Sequence, residues 1–91
     1  MAKKAVLTGI NRYKHISNLR GCVNDVYNMQ RLLVDVFAFP ESNIRTLTDK
    51  EVTKERILAG WNWLTKNAKP GDNLVFQFSG HGSYVFIAVS I

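Results

Sequence analysis

The sequence predicts an α/β fold built on an open, mainly parallel sheet with βαβαβ order. Three observations carry that expectation. Short apolar runs alternate with two stretches of helical periodicity. The connections between them are short, as right-handed parallel crossovers require. And the 91 residues are 46% hydrophobic and 21% charged, an ordinary globular balance in a chain the size of one domain or part of one.

Ala5–Ile10 is a short apolar run behind two lysines and reads as a buried strand. Asn11–Arg20 is polar and basic, and reads as a loop. Gly21 then precedes a helix in which Val23, Val26, Tyr27, Leu33, Val36 and Phe37 recur on one face. Phe39-Pro40 closes it, because proline cannot continue a helix and restricts the residue before it. Ile44–Thr48 is a second strand, and Thr53 is a suitable N-cap for a second helix. Ile57, Trp61, Leu64 and Ala68 share a face of that helix, and of Trp61 and Trp63 one must be partly exposed. Pro70-Gly71-Asp72 is turn chemistry, and Leu74–Phe78 is a third buried strand that runs straight into Ser79-Gly80-His81-Gly82.

Composition excludes several function classes. The net charge is +5, with Lys3, Lys4, Arg12, Lys14 and Arg20 all preceding the first acidic residue, Asp25. These positives are scattered and lack interleaved aromatics, so they read as a solvated rim and not as a nucleic-acid platform. The one cysteine, Cys22, rules out an intramolecular disulfide and suits a reducing compartment. The apolar stretch after Met1–Lys4 is too short for a signal peptide, and no run reaches the length of a membrane span, so the expected location is cytoplasmic. No GxGxxG or P-loop occurs, which counts against a nucleotide-binding βαβ protein, and no Cys/His spacing suggests a metal site.

In open sheets, sites form beyond the C-terminal strand ends where strand order reverses. With order 2-1-3, that crevice brings Asn11–Asp25 together with Ser79–Gly82. His81, between two glycines after a buried strand, is placed either as a general base near neutral pH or as a plain turn histidine. Cys22 and Asp25 lie on roughly the same side of the helix start. Cys22 reads as a reactive or pocket-lining thiol, or as a small buried side chain. Asp25 reads as a favourable first-turn charge or as the ligand of a basic group.

Taken together, Lys4–Asn11, Leu19–Val26 with its Gly-Cys-Val-Asn-Asp, Phe39-Pro40 through Leu47-Thr48-Asp49, and Lys69–Asp72 through Ser79-Gly80-His81-Gly82 resemble the metacaspases, caspase-like cysteine peptidases. The likeness spans residues 3–83, and its most specific pair is the GCVND and SGHG segments. It implies a caspase-like three-layer α/β/α domain, incomplete at the C-terminus, and a Cys–His endopeptidase that cleaves after Arg or Lys. By this analogy His81 is catalytic and Gly82 shapes the oxyanion site. Cys22, Asp25 and Ser79 line the S1 pocket, with Asp25 pairing to the basic P1 side chain.

Calcium activation is expected of a full-length family member, with no cofactor held by this segment. The expected partners are a peptide or protein with basic P1, the C-terminal part of the domain, or another caspase-like chain; neither nucleic acid nor membrane is expected. Caspase-like nucleophiles follow the histidine by about 50 residues, which from His81 falls past Ile91. Residues 1–91 therefore read as a partial catalytic domain, and 83–91 as an apolar tail that departs from the family's polar pattern and could add a strand. The chain is thus expected to be an N-terminal fragment of such a peptidase. One alternative is a truncated, non-catalytic homologue that binds peptides or caspase-like chains. A weaker one makes Cys22 itself the nucleophile.

Overall fold

In the computed structural model of the chain, residues 2–11, 21–80 and 83–90 are described. Strand β1 (Lys3–Gly9) leads to helix α1 (Cys22–Asp35), strand β2 (Ile44–Thr48), helix α2 (Lys54–Thr65), strand β3 (Asn73–Gly80) and strand β4 (Ser83–Ser90). Two short 3-10 turns, Glu41–Asn43 and Asp49–Glu51, flank β2. The sheet order is β2-β1-β3-β4. β1 pairs in parallel with β2 and β3, and β4 runs antiparallel to β3. The order of the first three strands is 2-1-3, the arrangement under which the start of α1 and the end of β3 share a crevice, and the apolar run after Gly82 supplies the fourth strand at the edge.

The central strand is buried on both faces, as its unbroken apolar run demands. Ala5 and Leu7 pack with Val26, Leu33, Phe39, Ile44 and Val75 under α1. Val6 points the other way and packs with Leu64 and Leu74, flanked by Trp63 and Phe76, under α2. Period-2 alternation thus feeds two cores, and the helices lie on opposite faces. The outcome is the three-layer α/β/α arrangement expected of the resemblance.

The apolar face anticipated for α1 is only partly the buried one. Val26 and Leu33 are buried, as is Cys22, whereas Tyr27, Val36 and Phe37 are exposed. The helix stops at Asp35, so Val36 and Phe37 fall in the turn behind it. There Ala38 adopts a left-handed conformation (φ 59°), and the Phe39 N–H donates to the Leu33 carbonyl at 2.9 Å. That reversal places Phe39 in the core in their stead. α2 begins as its sequence indicates, with Thr53 Oγ1 accepting from the Arg56 N–H at 3.1 Å. Gly60 lets it approach Val6: a Cβ there would lie 3.2 Å from a Val6 methyl. Trp61 is the exposed tryptophan, edge-on to Phe76 at 5.5 Å. Trp63 is half-buried and carries the Arg45 guanidinium 4.0 Å from its ring centroid. No helix among the described residues is long and apolar enough to cross a membrane.

Candidate functional site at the carboxyl ends of β1 and β3

Parallel register aligns the ends of the two central strands, with Gly9 opposite Ser79. The Ile10 N–H donates to the Ser79 carbonyl at 3.0 Å and extends that pairing one step past β1. Over this point sits the first turn of α1. A Cβ on Gly9 would lie 2.5 Å from the Cys22 carbonyl oxygen and 2.8 Å from Val26 Cγ2. Glycine is therefore what lets the helix start rest directly on the strand end.

This approach brings together three of the residues singled out from sequence. The Ser79 hydroxyl donates to Asp25 Oδ2 at 3.2 Å. Ser79 is only 4% exposed, while Asp25 faces solvent. The bond fixes one carboxylate oxygen and leaves the outer face of the group accessible to a cation. Cys22, at the head of the same helix, is buried with a free thiol. His81 and Gly82 lie outside the described residues; the chain places them immediately after Gly80, the last residue of β3.

Three site residues were not singled out by sequence reading: Gly21, Asn11 and Asp49. Gly21, the N-cap of α1, has a left-handed backbone (φ 88°) and no side chain to cap with. Asn11 does so from outside the helix, accepting the Val23 N–H on Oδ1 at 3.0 Å. The Asn11 N–H in turn donates to Asp49 Oδ1 at 2.8 Å. Asp49 is held at the end of β2 with φ 47°, a conformation that Asp tolerates better than most residues. Its turn is secured by Glu51 Oε1, which accepts from the Thr48 N–H at 3.2 Å and its hydroxyl at 3.1 Å. The Thr48-x-x-Glu51 spacing was a legible local signal. Asn11 bonding across to α1 had none, because the contact exists only once β1 and α1 are packed.

Among the described residues, no group of three or more His, Cys, Asp or Glu side chains is placed to hold a metal ion.

Comparison with known proteins adds an independent line. The metacaspase, peptidase C14 domain family model matches residues 3–87. Metacaspase-1A of Aspergillus oryzae is 45% identical over 86 residues, covering 88% of this chain and 20% of that protein. Metacaspase-1 of Scheffersomyces stipitis is 44% identical over 86 residues, with 88% and 21% covered. Metacaspase-1 of Yarrowia lipolytica is 45% identical over 86 residues, with 88% and 19% covered. The chain thus spans about a fifth of the length of these curated relatives. A family match over nearly all of the chain, on a fold that joins the GCVND segment to the strand ahead of SGHG, shows that it belongs to the metacaspases, the peptidase C14 domain family.

Proposed function

We propose that this chain carries the substrate-recognition side and the catalytic histidine of a caspase-like cysteine endopeptidase that cleaves after Arg or Lys. The observation that carries the reading is the Asp25 carboxylate, tied through one oxygen to buried Ser79 at the strand ends and open on its other side. A guanidinium or ammonium group there makes a charge-assisted contact, which a planar arginine fork suits best. His81, two residues beyond Ser79, acts as general base toward a cysteine thiol and then returns the proton to the leaving amine. Gly82 leaves room for the developing oxyanion. The nucleophile is a cysteine that the family pattern puts about 50 residues beyond the histidine.

A second reading is favoured by one observation: the chain's one cysteine is Cys22, and its side chain is buried. Without an accessible thiol the same crevice serves as a peptide-binding module. Cleavage of fluorogenic peptides with Arg or Asp at P1 by the chain supplied with the segment that carries the family's nucleophile, with calcium varied, decides between the two, alongside titration of the same peptides for binding. Turnover of the Arg peptide that His81→Ala abolishes supports the peptidase. Binding of the Arg peptide without turnover, weakened about tenfold or more in Asp25→Ala, supports the module. Equal affinity for the Arg and Asp peptides would sink both.

A further inference from the structure

Across the carboxyl end of the sheet, one line of hydrogen bonds links the ends of β2, β1 and β3 through the first turn of α1. It starts at β2, where Glu51 secures the turn that presents Asp49. Asp49 accepts the Asn11 N–H just past β1. The Asn11 side chain accepts the Val23 N–H in the first turn of α1. That same turn carries Asp25, which accepts the Ser79 hydroxyl at the end of β3. From these contacts we infer that Asn11 and Asp49 are positioning residues for the Asp25 pocket: together they form a strut that sets where the helix start, and so the carboxylate, stands over the strand ends. The inference rests on the reading of Asp25 as the receptor of a basic side chain.

The physical basis lies in what α1 lacks. A helix leaves its first N–H groups without intrahelical partners, and an N-cap side chain normally accepts from the second or third of them. Gly21 cannot, so the bond that Val23 makes to Asn11 replaces the missing cap and couples it to another strand. An ordinary cap moves with its helix; this one is anchored to the sheet. Asn11 is also held from behind, since its own N–H is engaged by Asp49. The end of the helix is therefore located relative to β1 and β2 as well as to β3. Neither Asn11 nor Asp49 bonds the Asp25 carboxylate in the contacts above, so their effect on a bound cation is indirect.

The test measures two things on the purified chain and on Asn11→Ala, Asn11→Ser, Asp49→Asn and Asp25→Ala. The first is amide hydrogen exchange at Val23 and, as an internal control, at Leu33 in the same helix. The second is affinity for a short peptide amide ending in arginine, by titration. In Asn11→Ala, Val23 exchange accelerates about fivefold or more, as loss of a cap implies, while Leu33 keeps its wild-type rate. Affinity for the arginine peptide falls by a similar factor without Asp25 being touched. Asp49→Asn, which retains an acceptor oxygen, and Asn11→Ser, which retains a shorter cap, each stay closer to wild type than Asn11→Ala. Unchanged Val23 exchange in Asn11→Ala would overturn the strut. Faster exchange with unaltered arginine affinity, where Asp25→Ala loses it, would overturn the positioning role. A wild-type chain that ignores the arginine peptide defeats the reading of the pocket instead, and the exchange pattern then still decides whether the strut exists.

Discussion

Gly9 and Asp72 show how single residues hold the site's frame. At Gly9 the obstacle to any side chain is the Cys22 backbone carbonyl, 2.5 Å from where a Cβ would stand, and backbone cannot swing aside as a side chain can. Gly9→Ala is expected to lift the head of α1 off β1 and cost about 1–3 kcal/mol, the usual range for overpacking. Urea unfolding measures it, and an unshifted midpoint would mean that the helix start is freely displaced. Asp72 sits at the opposite end of the sheet. Its carboxylate accepts from the Ala2 N–H at 2.7 Å and the Lys69 N–H at 2.9 Å, and these bonds hold its pKa below the ordinary 3.8. A carboxyl whose pKa is depressed on folding stabilises the fold above its unfolded pKa, and that contribution disappears as pH falls through the lower folded value. Asp72→Ala should therefore melt below wild type near neutrality, and the gap should close as the solution is acidified past the ordinary carboxylate range. A gap of constant size across that titration would refute the assignment.

At the scale of elements, α1 and α2 begin in different ways. α2 has a local cap in Thr53, whose hydroxyl oxygen accepts from Arg56, and that cap was readable from the residue type ahead of the periodic run. Thr53→Ala is expected to cost about 1 kcal/mol, and thermal unfolding would register it as a lowered midpoint. Because α2 packs under Val6 and Leu74, away from α1, arginine-peptide affinity should not change in that variant. α1 is capped from β1 by Asn11, so its first turn depends on tertiary packing. Helix ends behave likewise. The run that includes Val36 and Phe37 continues the helical period, but the left-handed Ala38 ends the helix earlier and sends Phe39 inward. Periodicity marks the faces of a helix; it does not say on which turn the chain will leave it.

For the whole molecule, the uneven feature is cover. β1 has helices on both faces, whereas the β4 side of the sheet is flanked by two apolar grooves. One, of about 440 Å³, lies between Phe37, Phe39, Phe86 and Ala88. The other, of about 220 Å³, lies between Trp61, Leu64, Phe76 and Ile87. β4 itself, Ser83–Ser90, contains neither charge nor proline, and Val85, Phe86, Ile87 and Val89 are all more than two-fifths exposed. Among the described residues no further strand pairs with the outer side of β4, and an apolar strand at a sheet edge is the arrangement that promotes strand addition. Concentration-dependent association of the chain is therefore expected, and Ile87→Lys should suppress it. Light scattering over a dilution series measures this, and indifference of the association to Ile87→Lys would exclude the edge as its source.

Much of this protein was determined by local rules acting along the chain. Apolar runs and helical periods set the order of elements, Thr53 marked the start of the second helix, and the unbroken apolar run of the first strand implied a parallel sheet with both faces covered. Given the 2-1-3 order, which the sheet adopts, Asp25 and Ser79 fall at one crevice, because strand order decides which loops meet. The tertiary structure decided the rest. It made Gln77, a polar residue in the third strand, 1% exposed, left Gly9 no room for a side chain, and recruited Asn11 and Asp49 to hold the start of α1. The reason is physical: each of these depends on how closely two elements approach, a distance set by packing between residues remote in sequence, which no pattern of neighbours encodes.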